Sequence, residues 1–290
     1  MATRGRSKSV RTAAGRLRSG WWRALAPGLA LVFLPLALRG DEAPAGPSPP
    51  ELATGLELVW VPPGEFLMGS PEDEADRDPD EGPRTRVTFT RGFWMGKYEV
   101  TQAQWERIMG GNPSHFRASA ARAPVENVTW EEAMEFCRRL TAHERASNRL
   151  PAGTGFTLPT EPQWEYACRA GSGAAFFAEP VAIGWFRENS NGATHPVGLK
   201  RANAWGLHDM HGNVWEWCRE RTPDQDTPVL PGGHVQDWAG PATGPFVAKR
   251  GGSWRNDLRG CRAANRTVDP PDYRSHNVGF RVVLQGSLVP

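Results

Sequence analysis

The chain reads as an α+β protein built from short, irregularly mixed elements, and three observations predict this. Glycine (32), proline (26) and tryptophan (13) are all abundant for 290 residues, a mixture that favours ordered loops pinned by large aromatic side chains. Two capping boxes, Thr129 with Glu132 and Thr160 with Gln163, open amphipathic segments of modest length. The remaining apolar runs are short and bounded by Gly, Pro and acidic residues, as strands are. The length suffices for one large domain or two small ones with a real core, and no heptad or repeat is visible.

The N-terminal segment differs from the rest. Residues 1–45 form a leader: Arg4, Arg6, Lys8, Arg11, Arg16, Arg18 and Arg23 precede the mostly apolar run Ala24 to Leu38. That run falls short of the ~20 residues that cross a bilayer comfortably and matches a signal-peptide core, with Ala43-Pro44-Ala45 as a small-x-small cleavage site. Trp21 and Trp22 would extend it into an uncleaved anchor. By either route the protein is expected to be exported: periplasmic, extracellular, or membrane-anchored facing outward. Contact with a membrane is expected only through an uncleaved leader. Residues 46–54 read as a linker and 55–286 as the domain. Without residues 1–45 the chain keeps 26 basic and 30 acidic residues, so its net charge turns negative and no basic stripe remains for nucleic acid.

Within the domain, Leu56–Val61 and Glu65–Met68 flank Pro62-Pro63-Gly64 and predict a hairpin-like pair. The acidic run from Ser70 to Pro83 reads as a solvated loop. Arg86–Thr90 and Phe93–Val100 follow as strands, and Thr101 caps a short helix through Met109. The helix after Thr129 turns Ala133, Phe136, Cys137 and Leu140 to one face, leaving Arg138 and Arg139 wet. The helix after Thr160 turns Trp164, Ala167 and Cys168 inward and ends at Gly171. Lys249–Trp254 and Val278–Leu284 read as late strands. His208 and His211 are expected to be hydrogen-bonding turn residues. No nucleophile elbow, phosphate loop or paired zinc motif occurs.

The segment Asn203-Ala204-Trp205-Gly206-Leu207-His208-Asp209-Met210-His211-Gly212-Asn213-Val214-Trp215-Glu216-Trp217 packs tryptophans, glycines and hydrogen-bonding side chains in a way no ordinary helix or strand selects. It resembles the signature segment of the formylglycine-generating-enzyme, or sulfatase-modifying-factor, family. Pro63-Gly64-Glu65-Phe66, Tyr98-Glu99-Val100-Thr101, Leu158-Pro159-Thr160-Glu161, Arg250-Gly251-Gly252-Ser253-Trp254 and Gly279-Phe280-Arg281 match in order, so the resemblance covers roughly residues 55 to 285. It implies an irregular mixed fold with little regular secondary structure, related to C-type-lectin-like folds and stabilised by calcium. Asp209, Gly212, Val214 and Glu216 fall on the family's calcium ligands, the middle two through backbone oxygens. Asp209 and Glu216 are hard donors, and Gly212 lets the backbone turn between them. The alternative from the residues alone is that Asp209 caps a turn while Glu216 pairs with an arginine.

The family's namesake uses oxygen and copper(I) to oxidise the cysteine of a sulfatase Cys-x-Pro-x-Arg segment. Copper(I) is soft and favours paired thiolates, which the enzyme places shortly after its Gly-Gly-Ser segment. Here Asn256 stands at the first of those positions, and between Ser253 and the chain end the only cysteine is Cys261. Cys261 is thus a weak catalytic candidate. By the same resemblance it is the structural cysteine that bridges to Cys168. Cys137 and Cys218 are either free or paired with each other. Two functions follow. One is a calcium-stabilised binding or scaffold module that lacks the copper cysteine pair and holds an extended peptide or protein ligand at Ser253, Trp254, Asn256 and Arg266. The other is a formylglycine-generating oxidase acting on a sulfatase, with copper as cofactor.

Overall fold

The computed structural model describes residues 47–119, 121–150, 152–223 and 230–286; the leader expected at 1–45 lies outside them. The second half of the expected linker is part of the domain. Leu52 is buried in the core, and the Glu144 carboxylate accepts from the Ala53 and Thr54 N–H groups at 2.8 and 3.0 Å. Among the described residues no helix is long and apolar enough to cross a membrane.

The architecture is α+β with short elements, as the composition predicts. One sheet runs β1 (Leu58–Val61), β4 (Phe93–Gly96), β13 (Val283–Gln285), β5 (Gly155–Thr157). A second runs β11 (Arg266–Asp269), β10 (Phe246–Arg250), β8 (Trp215–Thr222), β12 (Val278–Gly279). A third joins β2 (Gly64–Met68), β3 (Thr85–Phe89) and β9 (Gly233–Gln236), and a two-residue pair joins β6 (Gly184–Trp185) to β7 (His211–Gly212). The expected hairpin is absent. β1 pairs antiparallel with β4 and β2 with β3, so the Pro62-Pro63 turn sends the chain from one sheet to another.

The helices follow their caps. α1 (Gln102–Met109), α2 (Trp130–Ala146) and α3 (Glu161–Arg169) each begin with a Thr side chain accepting the N–H three residues on, while the Gln or Glu there accepts in return. α2 buries Ala133, Phe136, Cys137 and Leu140, and Phe136 stacks on Trp105 of α1 with ring centroids 5.6 Å apart. Every residue of α3 is buried, charged ones included.

Charges inside α3 require partners. Glu161 and Glu165, one turn apart, take Arg250 at 3.0 and 2.6 Å; Glu161 also takes Arg266 at 2.9 Å and Glu165 takes Arg169 at 2.9 Å. Burial alone would raise the Glu161 pKa, but Arg266 and Arg250 outweigh it and hold the carboxyl below its ordinary value. The acidic run at 70–83 is only partly a solvated loop: Glu72, Asp73 and Asp76 are exposed, whereas Glu74, Asp78, Asp80 and Glu81 belong to this system. Arg262 pairs with buried Glu81 and, at 2.8 Å, with Glu74; Arg266 reaches Asp80 at 3.2 Å, and Arg259 pairs with Asp78. Its partners lie about two hundred residues away in sequence, beyond the reach of local pattern.

A second buried pair joins the signature strand to the C-terminal segment. Arg281 donates from Nε and Nη2 to Glu216 at 2.7 Å each, from Nη1 to the Gly96 and Lys97 carbonyls, and again from Nη2 to the His208 carbonyl. Trp164 Nε1 donates to the same Glu216 carboxylate at 2.8 Å, tying α3 to β8. Replacing Arg281 by Met leaves Glu216 charged and buried with three carbonyls deprived of a donor. The expected cost is about 3–5 kcal/mol, read as a lowered urea midpoint, whereas an unchanged midpoint would contradict this role.

Candidate functional site

β10 ends at Arg250 because Gly251 (φ 95°) and Gly252 (φ 72°) turn the chain back in left-handed conformation. A Cβ on Gly252 would lie 2.3 Å from Cys261 Sγ and 2.6 Å from the Gly260 carbonyl, so no other residue fits this turn. It delivers Ser253, whose hydroxyl donates to Asn256 Oδ1 at 2.6 Å and accepts from Asn277 Nδ2 at 3.1 Å. Half-buried Trp254 is fixed by Nε1 donating to the His276 carbonyl at 3.1 Å.

An aromatic wall borders this cluster. Phe116 meets Trp254 edge-on at 5.3 Å, His276 lies 5.6 Å from Trp254, and His115 lies 5.4 Å from His276. Burial, and then the neighbouring His115 and Arg255, lower the His276 pKa and keep it neutral at physiological pH. The loop bearing His115 and Phe116 hangs on Glu126. Its Oε1 accepts the Phe116 N–H at 2.8 Å, its backbone N–H donates to Ser114 Oγ, and its Oε2 is buried without a partner. Burial pushes the Glu126 carboxyl up to about 7.

Of the groove residues expected from sequence, Ser253, Trp254 and Asn256 come together and Arg266 does not. Arg266 is buried on β11, its guanidinium spent on Glu161 and Asp80, because the ion network needs a cation there. His115, Phe116, His276 and Asn277 complete the site. Asn277 stands next to the recognisable Val278-Gly279-Phe280-Arg281 segment and was open to inference; nothing local marks His115 or Phe116.

The four residues expected to hold calcium are close in space but differently engaged. Asp209 (φ 56°) caps a turn, its Oδ2 accepting the Gly198 N–H at 2.7 Å, while Oδ1 is buried without a partner. Burial is the main cause that lifts its carboxyl to about 6, with nearby Glu216 adding to it. Gly212 (φ 90°) donates to the Gly251 carbonyl at 2.7 Å, and a Cβ there would lie 2.2 Å from the Trp185 carbonyl. The Val214 N–H donates to Glu99 Oε1 at 3.1 Å. Glu216 is already matched by Arg281 and Trp164. The turn-and-arginine alternative therefore describes both carboxylates, and the side-chain oxygen of this set left for a hard cation is Asp209 Oδ1.

All four cysteines are buried free thiols. The expected Cys168–Cys261 bridge is not formed. The His211 imidazole engages both residues, its Nε2 3.6 Å from Cys168 Sγ and its Nδ1 2.8 Å from the Cys261 carbonyl. Burial lowers the His211 pKa to about 4 and raises all four thiols, Cys168 to about 12. Cys137 and Cys218 are likewise unpaired, which settles the open alternative between them as free thiols. His208 and His211 both hydrogen-bond to backbone carbonyls, His208 through Nδ1 to Lys200 at 2.8 Å, although His211 lies on β7 and not in a turn.

Short α+β elements, a Gly-Gly-Ser turn after a sheet strand and a Trp-Glu-Trp strand locked to a Gly-Phe-Arg segment define a domain of the formylglycine-generating-enzyme type. A family model described as "Sulfatase-modifying factor enzyme 1-like domain" matches residues 45–285, and the chain belongs to that family. The chain is 32% identical over 183 residues to a protein named "Chaperone protein LppX" of Paenibacillus barcinonensis, covering 47% of this chain and 65% of that one, just under two thirds of its length. It is 26% identical over 313 residues to the formylglycine-generating enzyme of Mus musculus, covering 84% of this chain and 79% of the enzyme. Among solved structures, Treponema denticola variable protein 1 superposes with a TM-score of 0.68 at 27% identity, over 78% of this chain and 94% of that one.

Glu126 gives this site a pH signature. A carboxyl whose pKa rises on folding from 4.5 to about 7 favours the native state while protonated, and that contribution is lost as pH rises between those values. Glu126→Gln, which keeps the shape and cannot ionise, should therefore gain on the wild type in unfolding free energy across this window. A difference between the two proteins that stays flat with pH would show that Glu126 does not titrate as described.

Proposed function

We propose that this protein is a non-oxidising member of its family that binds an extended peptide or protein segment at the Ser253–Trp254–Asn256–Asn277 site. The observation that carries the reading is the state of the sulfurs. Where a copper(I) site needs two accessible thiolates, this chain has the amide of Asn256 and the single thiol of Cys261, which is buried beside Gly252. A thiol kept protonated by burial is a poor ligand and a poor nucleophile. What the site does offer suits recognition. The amides of Asn256 and Asn277, held in place by the buried Ser253 hydroxyl, match peptide N–H and C=O groups, while Trp254, Phe116 and His276 cover an apolar side chain.

The similarity to a protein named as a chaperone supports binding without turnover. The similarity to formylglycine-generating enzymes favours the second reading, a copper-dependent oxidase acting on a sulfatase cysteine, which the cysteine inventory opposes. In either case the leader supports action outside the cytoplasmic membrane. The test offers the purified chain a Cys-x-Pro-x-Arg peptide with copper(I) and follows both binding and mass. Saturable binding without aldehyde is expected, weakened about tenfold in Trp254→Ala and Asn277→Ala. Aldehyde formation would overturn the proposal in favour of the oxidase, and failure of the peptide to bind would overturn the choice of ligand.

Calcium enters this reading as a stabilising ion held by Asp209, supported by its partnerless buried oxygen. Ion present at about a hundredfold excess over its Kd would add about 2.7 kcal/mol. The melting temperature should accordingly fall on addition of EGTA in the wild type and stay unchanged in Asp209→Asn. Insensitivity of the wild type to the chelator would remove calcium from the account.

A further inference from the structure

A second cleft, of about 530 Å³, opens between β4, the first turn of α3 and the segment after β9, and shares no residue with the Ser253 site. Its volume is in the range of small-ligand pockets. The walls are aromatic, with Trp60, Phe93 and Trp238 among the lining residues. Trp60 is held in place on two sides. Its ring meets Trp94 edge-on at 5.2 Å, and a Cβ on Gly92 would lie 2.3 Å from its indole, so only glycine lets the ring lie there.

The cleft also carries positive charge. Arg169, Arg250, Arg262, Arg266 and Arg281 are each matched to a carboxylate. Arg91 and Arg219, which line the cleft, form no ion pair among the described residues; Arg219 has only the Gln285 amide oxygen, at 3.3 Å. Asp237 is the one carboxylate in the lining, and both its oxygens are used by Thr90, at 2.9 Å from the N–H and 2.6 Å from the hydroxyl. Two guanidinium groups thus line an aromatic slot that holds a single carboxylate, itself held by Thr90, which leaves the lining with an excess of one positive charge. Guanidinium forks recognise carboxylates in a plane, and indole faces take flat rings.

We propose that this cleft binds a small aromatic carboxylate, its ring against Trp60 and Trp238 and its carboxylate on Arg91 and Arg219. No nucleophile or general base is required, so the site is one of binding. The proposal is independent of the function assigned to the Ser253 site.

Isothermal titration of the full chain with 1-naphthoate, and with neutral 1-naphthamide as control, tests it. One molecule of naphthoate per chain is expected, with naphthamide about tenfold weaker. Arg219→Gln and Arg91→Gln should each weaken naphthoate about tenfold while leaving the melting temperature unchanged, since neither arginine has an ion partner to lose. Excess Cys-x-Pro-x-Arg peptide should not displace it. Equal affinity for acid and amide, indifference to both arginine substitutions, displacement by the peptide, or no saturable binding up to about 10 mM would each overturn the proposal.

Discussion

The Arg281 guanidinium is the constraint on which the other parts converge. It is fully buried, and each of its N–H groups has an acceptor: two on Glu216 of β8, one on the Gly96 carbonyl at the end of β4, one on Lys97 and one on His208. Burial works against its charge, but Glu216 above all, with Glu99 and Asp209 nearby, holds its already high pKa above the ordinary value. A single cation thereby fixes the signature segment, the first sheet and α3 through Trp164 in one frame. A buried pair of this kind adds little net stability over an apolar substitute, but it penalises every arrangement that separates its members. That penalty suits a fold with few regular hydrogen-bond ladders to define it.

What the sequence disclosed and what it hid divide along sequence distance. The starts of α1, α2 and α3 were legible because caps are local, a single Thr at 101 and complete boxes at Thr129 and Thr160, and the α2 face followed from spacing alone. The late strand expected over Lys249–Trp254 was misplaced: β10 runs Phe246–Arg250, and Gly251 and Gly252 turn the chain out of the sheet. β8 passed unrecognised because Trp215, Glu216, Trp217 and Cys218 are all buried, so the alternation that marks a half-exposed strand is missing. The paired acids of the acidic run and Arg266 were misread for one reason. Both are charged groups whose partners are remote, and a charge without a visible partner looks exposed. The Cys168–Cys261 bridge rested on resemblance, and His211 now occupies the relation between the two residues.

The site shows the same division. Ser253, Trp254 and Asn256 are contiguous and came with the Gly-Gly turn, whereas the aromatic wall arrives from a loop 138 residues earlier, as the span from His115 to Ser253 shows. That loop is carried by Glu126, a carboxylate with one oxygen employed and one idle. The Cys261 thiol lies beneath the turn, held away from solvent. Packing demands at Gly252 and burial of Cys261 are one structural fact, since the turn can close only over a small neutral atom group.

The latch between the acidic loop and the C-terminal arginines also orders events in time. Asp78, Glu74 and Glu81 find Arg259 and Arg262 across separations of 181 to 188 residues. While a ribosome is still extending the chain, those carboxylates have no cations to meet. The latch can therefore close only once nearly all of the domain has been made. Closure of this latch joins the start of the domain to its end, so it is a contact of long loop closure.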